Sequence, residues 1–266
     1  MPRPPLPALL LALGTAGLCS TPAGAAALQG TYEVRAAGLI VMEVEATVDL
    51  DDPQNYSLET RSRVRGVASV FSSTRMTTRT TGRWNGDRVQ PARYLAQGTW
   101  RGGERSTVVD YEGDMPVLRQ MVPPLSEEER EPVPPEAQRG TIDSLSAVAQ
   151  LLREVRRTGR CEAQAAVYDG RRRTEMRAQT VRWEVLQPSG SAWSGRALHC
   201  RFEGRQTAGF RRGDDATDRR PQEGSAWLAE VQPGTSPVPV RLEVPSPWFG
   251  NLVITLVRVG PAPAGR

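Results

Sequence analysis

The chain of 266 residues contains no lysine and one histidine, His199. Without lysine there is no Schiff-base nucleophile, no pyridoxal phosphate anchor and no Walker lysine over a nucleotide's phosphates. A single histidine excludes a multi-histidine metal centre, and a cysteine–histidine zinc set would consume the few cysteines. No G-x-S-x-G elbow occurs, because Gly190-Ser191-Ala192-Trp193-Ser194-Gly195 has the wrong spacing. A Ser-His-Asp triad has only His199 to draw on, and a satisfied structural or surface histidine is the expected reading. Asp214, Asp215 and Asp218 lack the ligand spacing and closing glutamate of a calcium loop. They sit among Arg211, Arg212, Arg219 and Arg220, as in a solvated mixed-charge loop. No pair of carboxylates stands out for glycoside hydrolysis. No catalytic, cofactor-binding or metal-binding residue is therefore assigned, and no cofactor is expected.

Long apolar runs are missing beyond the amino terminus. The longest uncharged stretch, Val244 to Val257, is broken by Pro245, Pro247, Gly250 and Asn251, and it falls short of the roughly 20 residues that span a bilayer. No transmembrane segment is expected once the amino-terminal segment is removed. That segment does carry a pattern: Arg3, an apolar run from Leu6 to Leu18, then Ala23-Gly24-Ala25 or Ala25-Ala26-Ala27 as a small-residue cleavage site. Residues 1–27 read as a secretory signal peptide, and the mature protein is expected to be exported to the periplasm of a bacterial envelope. Cys19 follows Leu18, not the small residue that lipid attachment requires, and should leave with the signal. Cys161 and Cys200 remain. In an oxidising compartment they are expected to pair, closing a loop of about 40 residues; the alternative is two free buried thiols.

The 34 basic residues, all arginine, are interleaved with 30 acidic ones for a net charge of +4. Neither long basic blocks nor a large excess of charge marks a nucleic-acid binder, and none is expected as a partner.

What the chain has in quantity is alternation. Ile40, Met42, Val44, Ala46 and Val48 alternate with Val41, Glu43, Glu45 and Thr47, and Thr31–Arg35 precedes them across an Ala37-Gly38 turn. Tyr56 to Val64 alternates with a strongly charged face. Further strands are expected at 76–84, 94–100, 106–111, 117–122, 161–168, 173–185, 193–205, 225–231, 238–244 and 252–259. Asp169-Gly170 is the strongest tight-hairpin signal, of the type I′ kind. The proline-rich, acidic stretch Pro123–Gly140 reads as an exposed connection. One helix stands out, with Leu145, Val148, Ala149, Leu152 and Val155 on one face. Thr141 or Asp143 can cap it, Arg153, Arg156 and Arg157 suit its carboxyl end, and Gly159 suits the stop. The fold class is mainly β: a large curved antiparallel sheet of roughly 11 strands, or a partly open barrel, with one principal α-helix. A single domain over 28–260 is followed by a loose tail, 261–266.

Thr141-Ile142-Asp143-Ser144-Leu145, Cys161, Val167-Tyr168-Asp169-Gly170-Arg171-Arg172, Cys200, Trp227-Leu228 and Pro239-Val240-Arg241 follow one another in an order that resembles a family of exported bacterial proteins, the domain of unknown function numbered 3108. The resemblance covers most of the mature chain; the long acidic loop and the arginine-rich 211–220 loop depart from it. More distantly, the architecture is similar to the half-barrels of periplasmic lipoprotein carriers. The family has no established activity, so the resemblance supplies no catalytic residue.

A sheet this large offers more apolar face than one helix of about four turns can cover. It must close on itself or leave a groove. The leading expectation is a non-enzymatic envelope protein binding an apolar or lipid-like ligand on the concave face. The alternatives are an assembly factor meeting another envelope protein through its sheet edges, and, third, a hydrolase.

Overall fold

The structure is a computed structural model that describes residues 27–70, 73–100, 102–127, 130–214, 219–246 and 250–263. The expected signal peptide, apart from Ala27, lies outside the described residues, as do Cys19, Asp215 and Asp218.

Strand β1 (Leu28–Ala36) buries every second residue, and β2 (Leu39–Asp49) returns antiparallel to it. Between them Ala37 and Gly38 both take positive φ, 47° and 82°, the combination that lets a two-residue turn follow the strand twist. β3 (Asn55–Val64), β4 (Arg75–Asn85), β5 (Arg88–Trp100), β6 (Gly103–Glu112) and β7 (Met115–Val122) continue as an up-and-down meander, with a 3₁₀ turn at Gly66–Val70. Two helices follow, α1 (Pro135–Gln138) and α2 (Ser144–Thr158). A second meander closes the chain: β8 (Ala163–Tyr168), β9 (Arg173–Leu186), β10 (Gly195–Ala208), β11 (Gln222–Ala229), β12 (Val238–Ser246) and β13 (Gly250–Pro261). The described residues form 13 strands, not roughly 11, because every β-favouring run forms its own strand, including the poorly patterned Met76–Trp84 and the short Val117–Val122. All belong to one sheet in the order β7-β6-β5-β4-β3-β2-β1-β13-β12-β11-β10-β9-β8. It curls nearly closed into a barrel.

The helix lies on the concave face, against β3, β4, β5 and β8. Asp143, not Thr141, caps it, accepting the Ser146 N–H at 2.9 Å. Gly159 ends it in the left-handed region at φ 69°, and its N–H donates to the Val155 carbonyl. Arg156 and Arg157 sit in the last turn, where the dipole favours cations. Ser146, Ala149, Leu152 and Val155 are its buried residues, and they meet Leu50, Tyr56, Leu58, Val89, Leu198 and Leu228 in the main core. A second core forms around Leu28, Tyr32, Val240 and Leu256, where the Trp193 N–H donates to the Leu256 carbonyl at 2.7 Å.

The two terminal strands of the sheet, β7 and β8, are not left bare. Ile142 forms a parallel bridge to Val167; its N–H donates to the Ala166 carbonyl and its carbonyl accepts the Tyr168 N–H, both at 2.9 Å. From the β8–β9 turn, Arg171 donates to the Val122 carbonyl at 3.0 Å and to Thr107 Oγ1, both on the β6–β7 side. That turn is also where the expected tight hairpin fails. Tyr168 pairs with Arg173, so four residues, not two, make the loop. The Asp169 carboxylate accepts the N–H groups of Arg171 and Arg172 at 2.9 and 2.7 Å, and this side-chain turn replaces the two-residue one. Gly170 does take positive φ, 87°, and a Cβ there would lie 2.6 Å from Thr107 Cγ2.

Two other expectations need comment. The Pro123–Gly140 connection is exposed over most of its described residues, as expected, yet it is tied down: Val133 is buried, the Glu131 N–H donates to the Phe210 carbonyl and Arg130 to the Gly209 carbonyl, both at 2.9 Å. Other N–H groups of the connection bond locally, those of Glu127 and Arg130 to the Pro124 and Leu125 carbonyls, and the Gly140 N–H donates to the Asp114 carbonyl at 2.8 Å. The stretch expected to be a loose tail begins inside β13, since Pro261 pairs with Leu28 and the Ala262 N–H donates to the Ala27 carbonyl at 2.6 Å.

Candidate functional site

Helix α2 has more than one apolar side. While Ala149, Leu152 and Val155 fill the core, Ala147, Val148 and Leu151 turn toward the second meander and leave a groove of about 220 Å³ between helix and sheet. Its far wall carries Met176, Ala178, Phe202 and Leu242 from β9, β10 and β12. Two glycines make room for the larger of these. A Cβ on Gly224 would stand 2.3 Å from Phe202 Cζ, and one on Gly204 would stand 2.9 Å from Met176 Sδ. Polar residues enter the lining only as Ser144, Gln150, Gln164 and Arg177.

At the amino end of the helix the core is polar and closed. Asp143 and Thr80 are fully buried. Asp143 Oδ2 accepts from Ser146 Oγ at 2.5 Å and from Thr80 Oγ1 at 2.9 Å, and Tyr56 OH lies 2.8 Å from Ser146 Oγ. Tyr94 lies close enough to Ser144 for that hydroxyl to oppose the effect of burial on its pKa. Tyr111 is close enough to feel Asp143, Tyr56, Tyr94 and Tyr168, yet its buried hydroxyl has no hydrogen-bond partner. Burial raises the pKa of all four tyrosines, those of Tyr94 and Tyr168 to about 12. Burial also raises the Asp143 carboxyl, against the lowering pull of its hydrogen bonds from Ser146 and Thr80. The cluster binds helix to sheet and offers no access for a substrate. Sequence reasoning offered Asp143, alongside Thr141, as a cap and missed its partners.

Cys161 and Cys200 form a disulfide with Cα atoms 6.0 Å apart. Both residues are fully buried. The bond joins the chain leaving α2 to β10 across β9, and the Cys161 N–H donates to Thr180 Oγ1 at 2.8 Å.

His199 lies on the opposite, outer face. It stacks on Trp227, with ring centroids 4.4 Å apart at 10°. Contrary to expectation it is not satisfied: neither ring nitrogen makes a hydrogen bond. Glu184 Oε1, the nearest acid at 3.6 Å from Nδ1, takes the Trp227 indole N–H instead. The indole's claim on that oxygen leaves the imidazole to gain from stacking alone. Arg182 and Arg201 and the carboxylates Glu184 and Glu243 act on it, but burial dominates and lowers its pKa. A folded pKa below the unfolded value means that protons favour the unfolded chain. Stability should therefore fall as pH drops below about 6.5, ahead of the carboxylates. His199→Phe should flatten the melting temperature between about pH 6.5 and 5, and an unchanged slope would refute this assignment.

Asp214 Oδ2 accepts the Arg211 N–H at 2.8 Å and so shapes its own turn. No group of three or more His, Cys, Asp or Glu among the described residues is placed to hold a metal ion. No described helix is long and apolar enough to cross a membrane. A larger concavity of about 760 Å³ opens on the outer face, lined in part by Arg61, Arg63, Arg75 and Gln97. Arg61 is paired with Glu59, and Arg63 shares Glu43 with Arg65. It is an open polar trough, whereas the groove beside α2 is apolar and flanked by helix and sheet.

The fold is similar to that of a β-barrel-like protein of the domain of unknown function DUF1849 from Brucella abortus, with 11% identity, 90% of this chain and 99% of that one covered, and a TM-score of 0.53. Looser superpositions are found with a protein of YmcC-like fold from Bacteroides fragilis (12% identity, 88% and 95% covered, TM-score 0.37) and with a protein from Parabacteroides distasonis (9%, 89% and 96%, TM-score 0.39). No curated protein matches the chain. The family model DUF3108, of proteins of unknown function, matches residues 29–257, from the first strand into the last, and the chain belongs to that family.

Proposed function

We propose that the protein is exported, and that the mature chain is a non-enzymatic binder holding one apolar chain of a lipid-like ligand beside α2. The observation that carries this reading is the groove itself, with Val148 and Leu151 facing Phe202 and Leu242. An aliphatic chain gains by leaving water for such a wall, whereas a polar substrate would lose its hydrogen bonds there. A volume of about 220 Å³ is below the roughly 300–1,000 Å³ of sites for drug-sized ligands, which suits a single chain and not a whole two-chain lipid. The leader-like pattern of residues 1–27 supports export. The hydrolase alternative would draw on His199, which is engaged with Trp227 and not with a serine.

Native mass spectrometry of protein purified from the envelope should find a co-purifying amphiphile. A fluorescent fatty acid should bind the delipidated protein, and Val148→Trp should weaken it at least about tenfold by filling the groove. Unchanged binding in that variant, with its melting curve intact, would place the ligand elsewhere. Failure of the wild type to bind would end the proposal.

A further inference from the structure

The ninth strand is longer than its neighbour. β8 pairs with β9 only over Arg173–Ala178. Cys161 and Glu162 then reach Thr180 by side-chain hydrogen bonds. From Val181 to Leu186, β9 has β10 on one side and no described strand on the other. This bare edge is apolar on one face: Val181 is 39%, Trp183 46% and Val185 61% exposed. An open, apolar strand edge is a template for another strand.

The segment Val181-Arg182-Trp183-Glu184-Val185 also carries its own complement. Antiparallel pairing with an identical strand, centred on Trp183, sets Trp183 against its copy, Val181 against Val185 and Arg182 against Glu184. One face then gathers four valines and two tryptophans, and the other a ring of alternating charges. Arg182 already donates to Glu184 within the chain at 2.8 Å. Its side chain is 63% exposed and so is free to reach a second carboxylate. Parallel pairing would oppose Arg182 to Arg182, and a one-residue slip would set charge against tryptophan. The pattern fits one symmetric register, that of a two-fold isologous contact.

We propose that the chain forms a homodimer through antiparallel pairing of its β9 edges over residues 181–185. So short a strand pair buries less than the roughly 1,200–2,000 Å² of a standard interface, so the dimer is concentration-dependent.

Sedimentation of the mature chain over a series reaching about 1 mM should show the dimer forming. Arg182→Glu opposes like charges and should weaken it at least about tenfold, as should Glu184→Arg. An equimolar mixture of the two variants should recover association, because each chain supplies the charge that the other lacks. Because Glu184 also holds the Trp227 indole, a second readout avoids it. Trp183→Cys should cross-link to its own copy on oxidation, whereas Val185→Cys, opposite Val181, should not. A monomer throughout the series, a dimer indifferent to Arg182→Glu, no recovery in a mixture of folded variants, or a cross-link at 185 in preference to 183 would each overturn the proposal.

Discussion

Asp143→Ala should lower folding stability by about 3 kcal/mol, from a lost helix cap of about 1 and buried partners left unpaired for about 2 more. In a chain of this size that is a fall in melting temperature of roughly 6–12 °C. Three donors lose their acceptor together: the Ser146 N–H, Ser146 Oγ and Thr80 Oγ1. Asp143→Asn should cost less than half as much, because the amide oxygen keeps the N–H bond and the hydroxyls can reorient. The pH dependence separates charge from cap. Burial raises the Asp143 pKa, so the folded protein holds this proton more tightly than the unfolded chain, whose aspartates titrate near pH 3.9. The contribution of Asp143 should be lost as pH rises from about 4 through the raised value, so the stability difference between the wild type and the asparagine variant should shrink over that range. Thermal melts of the three proteins between pH 4 and 7 provide the check, and an alanine variant as stable as the wild type would refute the assignment.

Reduction of the disulfide should cost about 4 kcal/mol on the chain-entropy account. Its cysteines are 39 residues apart in sequence, and the loop between them contains β8, β9 and the turn that latches onto β7. A fall in melting temperature of roughly 8–15 °C is expected on adding reductant. The double variant Cys161→Ala with Cys200→Ala should match either single variant under reducing conditions to within about 1 kcal/mol, since all lack the bond. Melting that does not respond to reductant would show that the bond contributes nothing to stability.

Much of the fold is legible in the sequence because its strands alternate and its turns carry glycine. Ile40–Val48, the Leu145–Val155 stripe and the Cys161–Cys200 pair need only local pattern or counting, and each lies where the pattern puts it. The candidate site is legible only as a surplus of apolar face. Its shape depends on Gly224 and Gly204 yielding space to Phe202 and Met176 across neighbouring strands, and spacing along the chain does not reveal that. The tyrosines around Asp143 come from β3, β5, β6 and β8, too far apart in sequence to signal one another. The Asp169-Gly170 turn misleads for a different reason. The dipeptide favours a two-residue hairpin, but the Asp169 carboxylate prefers two backbone donors further on. Nor does strand length predict the bare edge of β9, because a strand's own residues do not say where its neighbour stops.

The pairing of β1 with β13 has a consequence for how the chain assembles. Every other neighbouring pair of strands is consecutive in sequence, so two hairpin ribbons, one at each end of the chain, can zip from their turns with little loop entropy to overcome. The final seam joins Leu28 to Pro261 and must wait for the last strand to be present. A chain that threads through a membrane amino end first would hold β1 open on one side until its carboxyl end arrived, and over that interval the first ribbon would be exposed to chaperones and proteases.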